Sequence, residues 1–364
     1  MSIQEGVSLA PLTTLGVGGP ARFYAEATTE AEVVDALAWA DARGLKTLVL
    51  GGGSNLLVAD RGFDGLVLRP RLRGVLVEQG DGIVEVEAGA GEPWDDFVAR
   101  AVQNGWAGVE CLSGIPGDVG ATPIQNVGAY GQEVADTIVR VRAIERATGT
   151  VMDLDRARCG FGYRDSVFKR EDAGRFVITS VRFALRPGGA PSVKYAELER
   201  KLAGRPSTTL AELREVVIEL RRGKSMVLDP SDENGKSAGS FFTNPTLEAT
   251  EASKVVERVA AAGVLSPGEE MPRYAASGWQ VKLSAAWLIE RAGFKKGTFD
   301  GPVGISTKHS LAIVNRGGAR AAEIVAFARR VRAGVYEKFG VKLVPEPVLV
   351  GFTSEETEDL VAGG

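Results

Sequence analysis

The chain is poor in the residues that most often carry metal and covalent chemistry. Of its 364 residues two are cysteine, Cys111 and Cys159, and one is histidine, His309. Two cysteines without CxxC spacing argue against a disulfide framework or a thiolate zinc site, and both read as small buried hydrophobes. A single histidine excludes His-rich metal catalysis, and no metal is expected. A serine triad would have to use His309, and no GxSxG turn accompanies it. Beside a strand, a lone histidine reads as a structural hydrogen-bonder. No apolar run reaches the about 18 residues of a membrane span, so no membrane insertion is expected. The start, Met1-Ser2-Ile3-Gln4-Glu5, lacks a basic region followed by an apolar one, which points to the cytoplasm. An excess of one charge is missing too: 43 Lys and Arg face 47 Asp and Glu. Acids and bases are interspersed, which excludes the clustered basic surface of a nucleic-acid binder. Arg69, Arg71 and Arg73 alternate on a strand pattern and read as one solvated face.

A composition of 44% hydrophobic and 25% charged residues is that of a soluble globular protein. The length predicts two or three domains. Thr29-Glu30-Ala31-Glu32 has capping-box spacing before a helix ending near Gly44. Strands are predicted at 47–50 and 65–68, then a hairpin of Val75–Val77 and Ile83–Ala88 around Gly80-Asp81-Gly82. A helix follows from Trp94 to Asn104, with strands at 138–145, 150–154 and 176–186. Residues 187–207 read as loop, and 208–222 as an amphipathic helix opened by Thr208. Beyond 226, helices are expected near 247–262, 284–292 and 319–339, and strands at 310–315 and 348–350. The tail, 353–364, reads as disordered.

Glycine marks two segments. Gly51-Gly52-Gly53-Ser54-Asn55 follows a strand, where glycines let backbone N–H groups approach a phosphate. The Rossmann spacing fails because Leu56 stands where glycine is required, and no GK[ST] makes a Walker loop. The second runs from Ser113 to Gly131, with five glycines and almost no charge. Such backbone, with Gln125, Asn126 and Tyr130, suits close wrapping of a large cofactor. Further on stand Gly160 to Ser166, which includes Tyr163-Arg164, then Gly239-Ser240-Phe241-Phe242, and Glu346 between Pro345 and Pro347. The two prolines hold that segment extended.

In this order, Gly51–Asn55, Ile115-Pro116-Gly117, Pro123 to Gly131, Gly162–Ser166, Gly239–Phe242 with Asn244-Pro245, and Pro345-Glu346 resemble one family. It is the UDP-N-acetylenolpyruvoylglucosamine reductases, or MurB enzymes, and the likeness runs from about Leu12 to Phe352. Tyr195, in Lys194-Tyr195-Ala196-Glu197-Leu198, resembles the substrate-covering tyrosine of the type I members.

The resemblance implies an α+β, α/β architecture. It is a three-domain FAD-binding fold of the vanillyl-alcohol-oxidase/MurB type with a separate substrate-binding domain. Residues 1–70 would form the first FAD subdomain, completed by a C-terminal strand at 343–352. Residues 71–225 would form the second, with the Tyr195 loop, and 226–342 the substrate domain. The implied cofactors are noncovalent FAD and NADPH as hydride donor. The implied reaction reduces UDP-N-acetylglucosamine enolpyruvate to UDP-N-acetylmuramate for the cell wall, and a monomer is expected.

For FAD the resemblance implies Gly51, Gly52, Gly53, Ser54, Asn55, Leu56, Ile115, Pro116, Gly117, Gly120, Pro123, Gln125, Asn126, Gly128, Ala129 and Tyr130. For substrate it implies Tyr163, Tyr195, Lys224, Asn244, and Gln280 or Lys282. Arg164 would stabilise charge building on the enolpyruvyl carboxylate. Ser240 would protonate carbon with Lys224 supporting the alkoxide, and Glu346 completes the catalytic set. Two alternatives stay open: a flavin alcohol oxidase of the same cofactor fold, and a non-catalytic sugar-nucleotide binding module.

Overall fold

Four stretches of alternating apolar residues pair as the first sheet of the computed structural model, which describes residues 1–205, 207–276 and 278–361. Their order is Ile3–Ser8, Pro20–Ala27, Phe63–Pro70, Lys46–Val49, with the last two parallel. The helix Glu30–Asp41 lays Val33, Ala36, Leu37 and Ala40 on this sheet against Leu66 and Leu68. Thr29 Oγ caps it by accepting from the Glu32 N–H at 3.2 Å. The Glu32 carboxylate reaches back one residue further than the box requires, to the Thr28 N–H at 2.7 Å.

A second sheet runs in the order Val151–Asp155, Ile138–Glu145, Phe176–Pro187, Val84–Gly89, Val75–Gln79, all antiparallel. The helix Trp94–Gln103 buries Trp94, Phe97 and Val98 against it, and Phe97 and Phe183 stack with centroids 4.7 Å apart. These elements lie within a residue or two of the expected ones.

The chain packs as two compact units. The first comprises Met1–Val7, Ala21–Gly53 and Asp64–Leu228; the second comprises Ser8–Pro20, Ser54–Phe63 and everything from Asp229. Grouping all of 1–70 together is therefore corrected, and hydrogen bonds give the reason. Leu56–Val58 pairs in parallel with Val348–Val350. The Asp60 carboxylate caps the helix Ala321–Phe339 by accepting from Ala321 and Ala322 at 2.8 and 3.0 Å. Asn315 Nδ2 donates to the Leu15 carbonyl at 3.0 Å. The second unit has two three-stranded sheets, Thr246–Glu248/Gln280–Leu283/Arg273–Ala275 and Phe299–Asp300/Val303–Ile305/Ile313–Asn315. Its core joins Phe241, Phe242, Leu288, Phe327 and Phe339.

Two further expectations are corrected. The loop at 187–207 contains a helix, Ala196–Leu202, because Leu198 and Leu202 share a face and bury against Leu213 and Val217. The tail is not disordered over Ser354–Val361. It is a helix that buries Thr357 and Leu360, and Glu356 accepts from the Thr353 N–H at 2.7 Å. Residues 362–364 lie outside the described residues. The helix near 208–222 is Leu210–Arg222, capped by Thr209 with Glu212 rather than by Thr208.

Candidate active site

In the first unit, Tyr163 and Arg164 occupy the tip of a tight turn closed by reciprocal backbone bonds between Gly162 and Asp165, at 3.0 and 3.2 Å. The Arg164 guanidinium donates to the Gly128 carbonyl at 2.6 Å and lies 5.4 Å from the Tyr163 ring centroid. Asp165 is paired with Arg170, so the short-range Arg164–Asp165 ion pair is not what holds the arginine. Asn126 welds the two segments together: its Nδ2 donates to Glu133 at 2.7 Å and to the Gly162 carbonyl at 2.9 Å, while its Oδ1 accepts from the Ala135 N–H at 3.1 Å. Asn126, assigned to the cofactor by resemblance, is here a buried strut of the loop.

Backbone strain collects around this turn. Among the described residues the non-glycines with positive φ are Asn126 (45°), Tyr130 (48°), Arg164 (55°) and Ser225 (56°), all in the first unit. Each such conformation costs about 1–3 kcal/mol and persists where its surroundings over-determine it.

Tyr195 opens the helix Ala196–Leu202 and packs edge-on against Tyr130, centroids 5.5 Å apart. The Lys224 ammonium sits 5.5 Å from the Tyr130 ring centroid and pairs with Glu197 at 2.6 Å. The approach to Tyr195 is anchored by Glu110, a buried carboxylate accepting from Gly108 N–H at 2.7 Å, Gln132 Nε2 at 2.9 Å and Ser192 N–H at 2.9 Å. Burial pushes the Tyr130 phenol up to about 12.

Arg221 is the residue the sequence reading missed. It is 5% exposed, its Nη2 donates to the Met226 carbonyl at 2.7 Å, and its Nε is buried without a partner. Burial pushes its guanidinium down to about 10. The signal was present: 213, 217, 220 and 221 share the apolar helix face, and a charge on that face demands an explanation.

The glycine segments fit a large anionic cofactor. A Cβ on Gly52 would come within 2.6 Å of Gly117 Cα, so the two segments touch backbone to backbone. A Cβ on Gly120 would lie 2.5 Å from that of Ala90. Beside Gly51, Asp118 carries a buried carboxylate oxygen without a partner. Burial raises the Asp118 carboxyl above its ordinary value despite the pull of Arg69, Arg71 and Arg73, so these arginines are more than a solvated face. Uncharged glycine backbone with three guanidiniums nearby is the donor set that a pyrophosphate requires.

In the second unit, distant motifs become backbone neighbours. The Glu346 N–H donates to the Phe241 carbonyl at 2.9 Å, and Phe242 bridges to Pro345. Asn55 Nδ2 donates to the Glu346 carbonyl at 3.1 Å, and Val348 N–H donates to the Asn55 carbonyl at 2.9 Å. Ser54 carbonyl accepts from Thr14 Oγ at 3.4 Å. Asn244 Oδ1 accepts the Ala285 N–H at 3.0 Å, at the start of the helix Ala285–Arg291. Gln280 and Lys282 lie two apart on one strand, hence on one face, and Gln280 donates to Glu248 at 2.9 Å. Among the described residues no group of three or more His, Cys, Asp or Glu is arranged to hold a metal, and no helix is long and apolar enough to cross a membrane.

Comparison with known proteins bears on what this arrangement is for. The UDP-N-acetylenolpyruvoylglucosamine reductase of Saccharopolyspora erythraea is 52% identical over 352 residues, covering 95% of both chains. The enzyme of that name from Thermobifida fusca is 51% identical over 97% of this chain and 99% of its own. This chain belongs to the UDP-N-acetylenolpyruvoylglucosamine reductase family. Residues 229–350 match the C-terminal domain of that reductase family, and residues 21–155 match an FAD binding domain. The crystal structure of the family member from Thermus caldophilus superposes with a TM-score of 0.64 at 27% identity, over 96% of this chain and all of that one.

Proposed function

We propose that the protein reduces UDP-N-acetylglucosamine enolpyruvate to UDP-N-acetylmuramate in the cytoplasm, with NADPH as donor and FAD as carrier. The observation that carries this is the joining, in one hydrogen-bonded ladder, of the Ser240, Glu346 and Asn55 motifs, in a chain 52% identical to a reductase of that name. Bound FAD supplies hydride transfer, from the nicotinamide to the enolpyruvyl double bond.

The rest is done by the chain. The segments Gly51–Gly53 and Ile115–Tyr130 hold the cofactor through their backbone N–H groups. Tyr195 and Lys224 bind the sugar-nucleotide diphosphate, and the strand carrying Gln280 and Lys282 binds further along it. Arg164, fixed by Gly128, meets the enolpyruvyl carboxylate, where negative charge builds up after hydride arrives. A donor preorganised at that point contributes most in the transition state. Ser240 then gives its hydroxyl proton to the neighbouring carbon. Glu346 sits on the adjoining segment, its backbone fixed by Phe241 and Asn55.

The test is spectroscopic. The purified protein should be yellow, and anaerobic NADPH should bleach it. Adding the enolpyruvyl sugar nucleotide should restore the colour in stoichiometric amount. Bleaching without restoration by that substrate would refute the assignment.

A further inference from the structure

The motifs so far leave out the one histidine. His309 lies in the turn between the strands Val303–Ile305 and Ile313–Asn315. Ser306, fully buried, fixes this turn: its hydroxyl accepts from the N–H groups of Lys308 at 3.1 Å and His309 at 3.3 Å. The His309 carbonyl accepts from the Ala312 N–H at 3.1 Å. Two residues on, the Leu311 carbonyl accepts from the Phe241 N–H at 2.7 Å. The turn is thereby tied to the residue after Ser240. Across this tie His309 Nε2 stands 3.3 Å from Ser240 Oγ.

A serine beside a histidine on a surface is often incidental. Here backbone sets the approach from both sides. Gly239, at φ +71°, turns the chain into Ser240, and Phe241 behind it is fully buried. The sequence reading gave support of the Ser240 oxygen to Lys224, whose ammonium is paired with Glu197. The group observed beside that oxygen is an imidazole.

We propose that His309 is the positioning residue for proton delivery by Ser240. Its Nε2–H donates to Ser240 Oγ, which directs the hydroxyl proton away from the ring and toward the reacting carbon. This rests on the reading of Ser240 as the acid. In the step, the Ser240 O–H bond breaks and a C–H bond forms next to the carbon that received hydride. The electron pair of the broken bond stays on Oγ. Nε2–H stabilises that alkoxide until a solvent proton restores the hydroxyl. A ring that accepted from Ser240 would instead hold the hydroxyl proton on the imidazole side of Oγ.

The experiment follows the two half-reactions by stopped flow in His309→Ala, His309→Leu, His309→Gln, Ser240→Ala and the Ser240→Ala/His309→Ala double variant. Flavin content and reduction by NADPH report on folding. In the Ala and Leu variants, reoxidation by the enolpyruvyl sugar nucleotide should slow about 10- to 100-fold, the effect of one hydrogen bond to a charged oxygen. His309→Gln, which keeps an N–H donor, should recover most of that loss. The double variant should be no slower than Ser240→Ala, because the ring acts only through the hydroxyl. Wild-type reoxidation in His309→Leu, equal rates in the Gln and Leu variants, or a further loss in the double variant would overturn the inference. If Ala fails to bind flavin, the Gln and Leu pair decides alone. Wild-type reoxidation in Ser240→Ala overturns the underlying reading instead, whatever His309 does.

Discussion

Gly128 separates two explanations of one glycine. From sequence, Gly128 admits the backbone to the cofactor, and a larger residue there should expel flavin. In the structure a Cβ on Gly128 would lie 2.8 Å from Glu133 Cγ, 3.0 Å from Arg164 Nη1 and 3.0 Å from the Gln132 carbonyl oxygen. It points between the Glu133 side chain and the arginine. Gly128 lacks a positive φ, so alanine can adopt its backbone, and the cost is steric. The carbonyl belongs to the short pair Gly128–Ala129 with Gln132–Glu133 and yields little. The guanidinium is the far end of a long side chain and moves. Gly128→Ala should therefore break the 2.6 Å bond from Arg164 to the Gly128 carbonyl. A hydrogen bond from a charged donor contributes about 1.5–3 kcal/mol, so a misplaced Arg164 should slow the substrate half-reaction about 10- to 150-fold. Overpacking should lower stability by about 1–3 kcal/mol. The assay is FAD content by absorbance, then stopped-flow reduction by NADPH and reoxidation by substrate. The structure predicts near-wild-type flavin content and reduction with slowed reoxidation. Colourless protein that, reconstituted with FAD, reoxidises at the wild-type rate would refute the reasoning.

Other outcomes follow from the same structure. Tyr195→Phe keeps the edge contact with Tyr130 but removes the phenol oxygen, so it should raise the KM for sugar nucleotide and leave flavin reduction intact; altered reduction alone would contradict the lid role. Glu269 accepts from the Ser266 N–H at 2.9 Å and Trp287 Nε1 at 2.9 Å and pairs with Arg291, which together hold it at about 2 against an ordinary 4.5. A depressed folded value stabilises above pH 4.5 and is lost as pH falls toward 2. The urea midpoint of Glu269→Gln should fall less across that window than that of the wild type, and parallel curves would exclude the effect. Burial pushes the thiols of Cys111 and Cys159 up to about 12, so neither should react with a thiol reagent at pH 8 until urea is added; rapid native labelling would contradict this.

Strands with alternating burial were legible because period two survives in sequence: Ile138–Glu145 has the bounds read from it, and the Gly80-Asp81-Gly82 hairpin forms as expected. Short amphipathic pieces were not. Ala196–Leu202 offers two leucines and the terminal helix one, too few to register a period of 3.6. Domain membership was misread where it depends on partners distant in the chain, as with Asp60 capping the helix at Ala321. The candidate residues stood out by their glycine and proline frames. What joins them did not: that Phe241 bonds both Leu311 and Glu346 is invisible in any one segment, and His309 was read as structural for want of that link. Arg221 was legible and overlooked, since its place on an apolar helix face was open to inspection.

The most direct test of the account is a single-turnover measurement on Ser240→Ala. Positioned proton transfer is worth about 10²–10⁴ in rate. With NADPH the variant should bleach as fast as the wild type, because hydride reaches the flavin before any carbon is protonated. With the enolpyruvyl sugar nucleotide it should recover its colour about 10²- to 10⁴-fold more slowly. Recovery at nearly the wild-type rate would contradict the assignment of Ser240 as the acid, and with it the ladder from Ser240 to Glu346 as the centre of the chemistry.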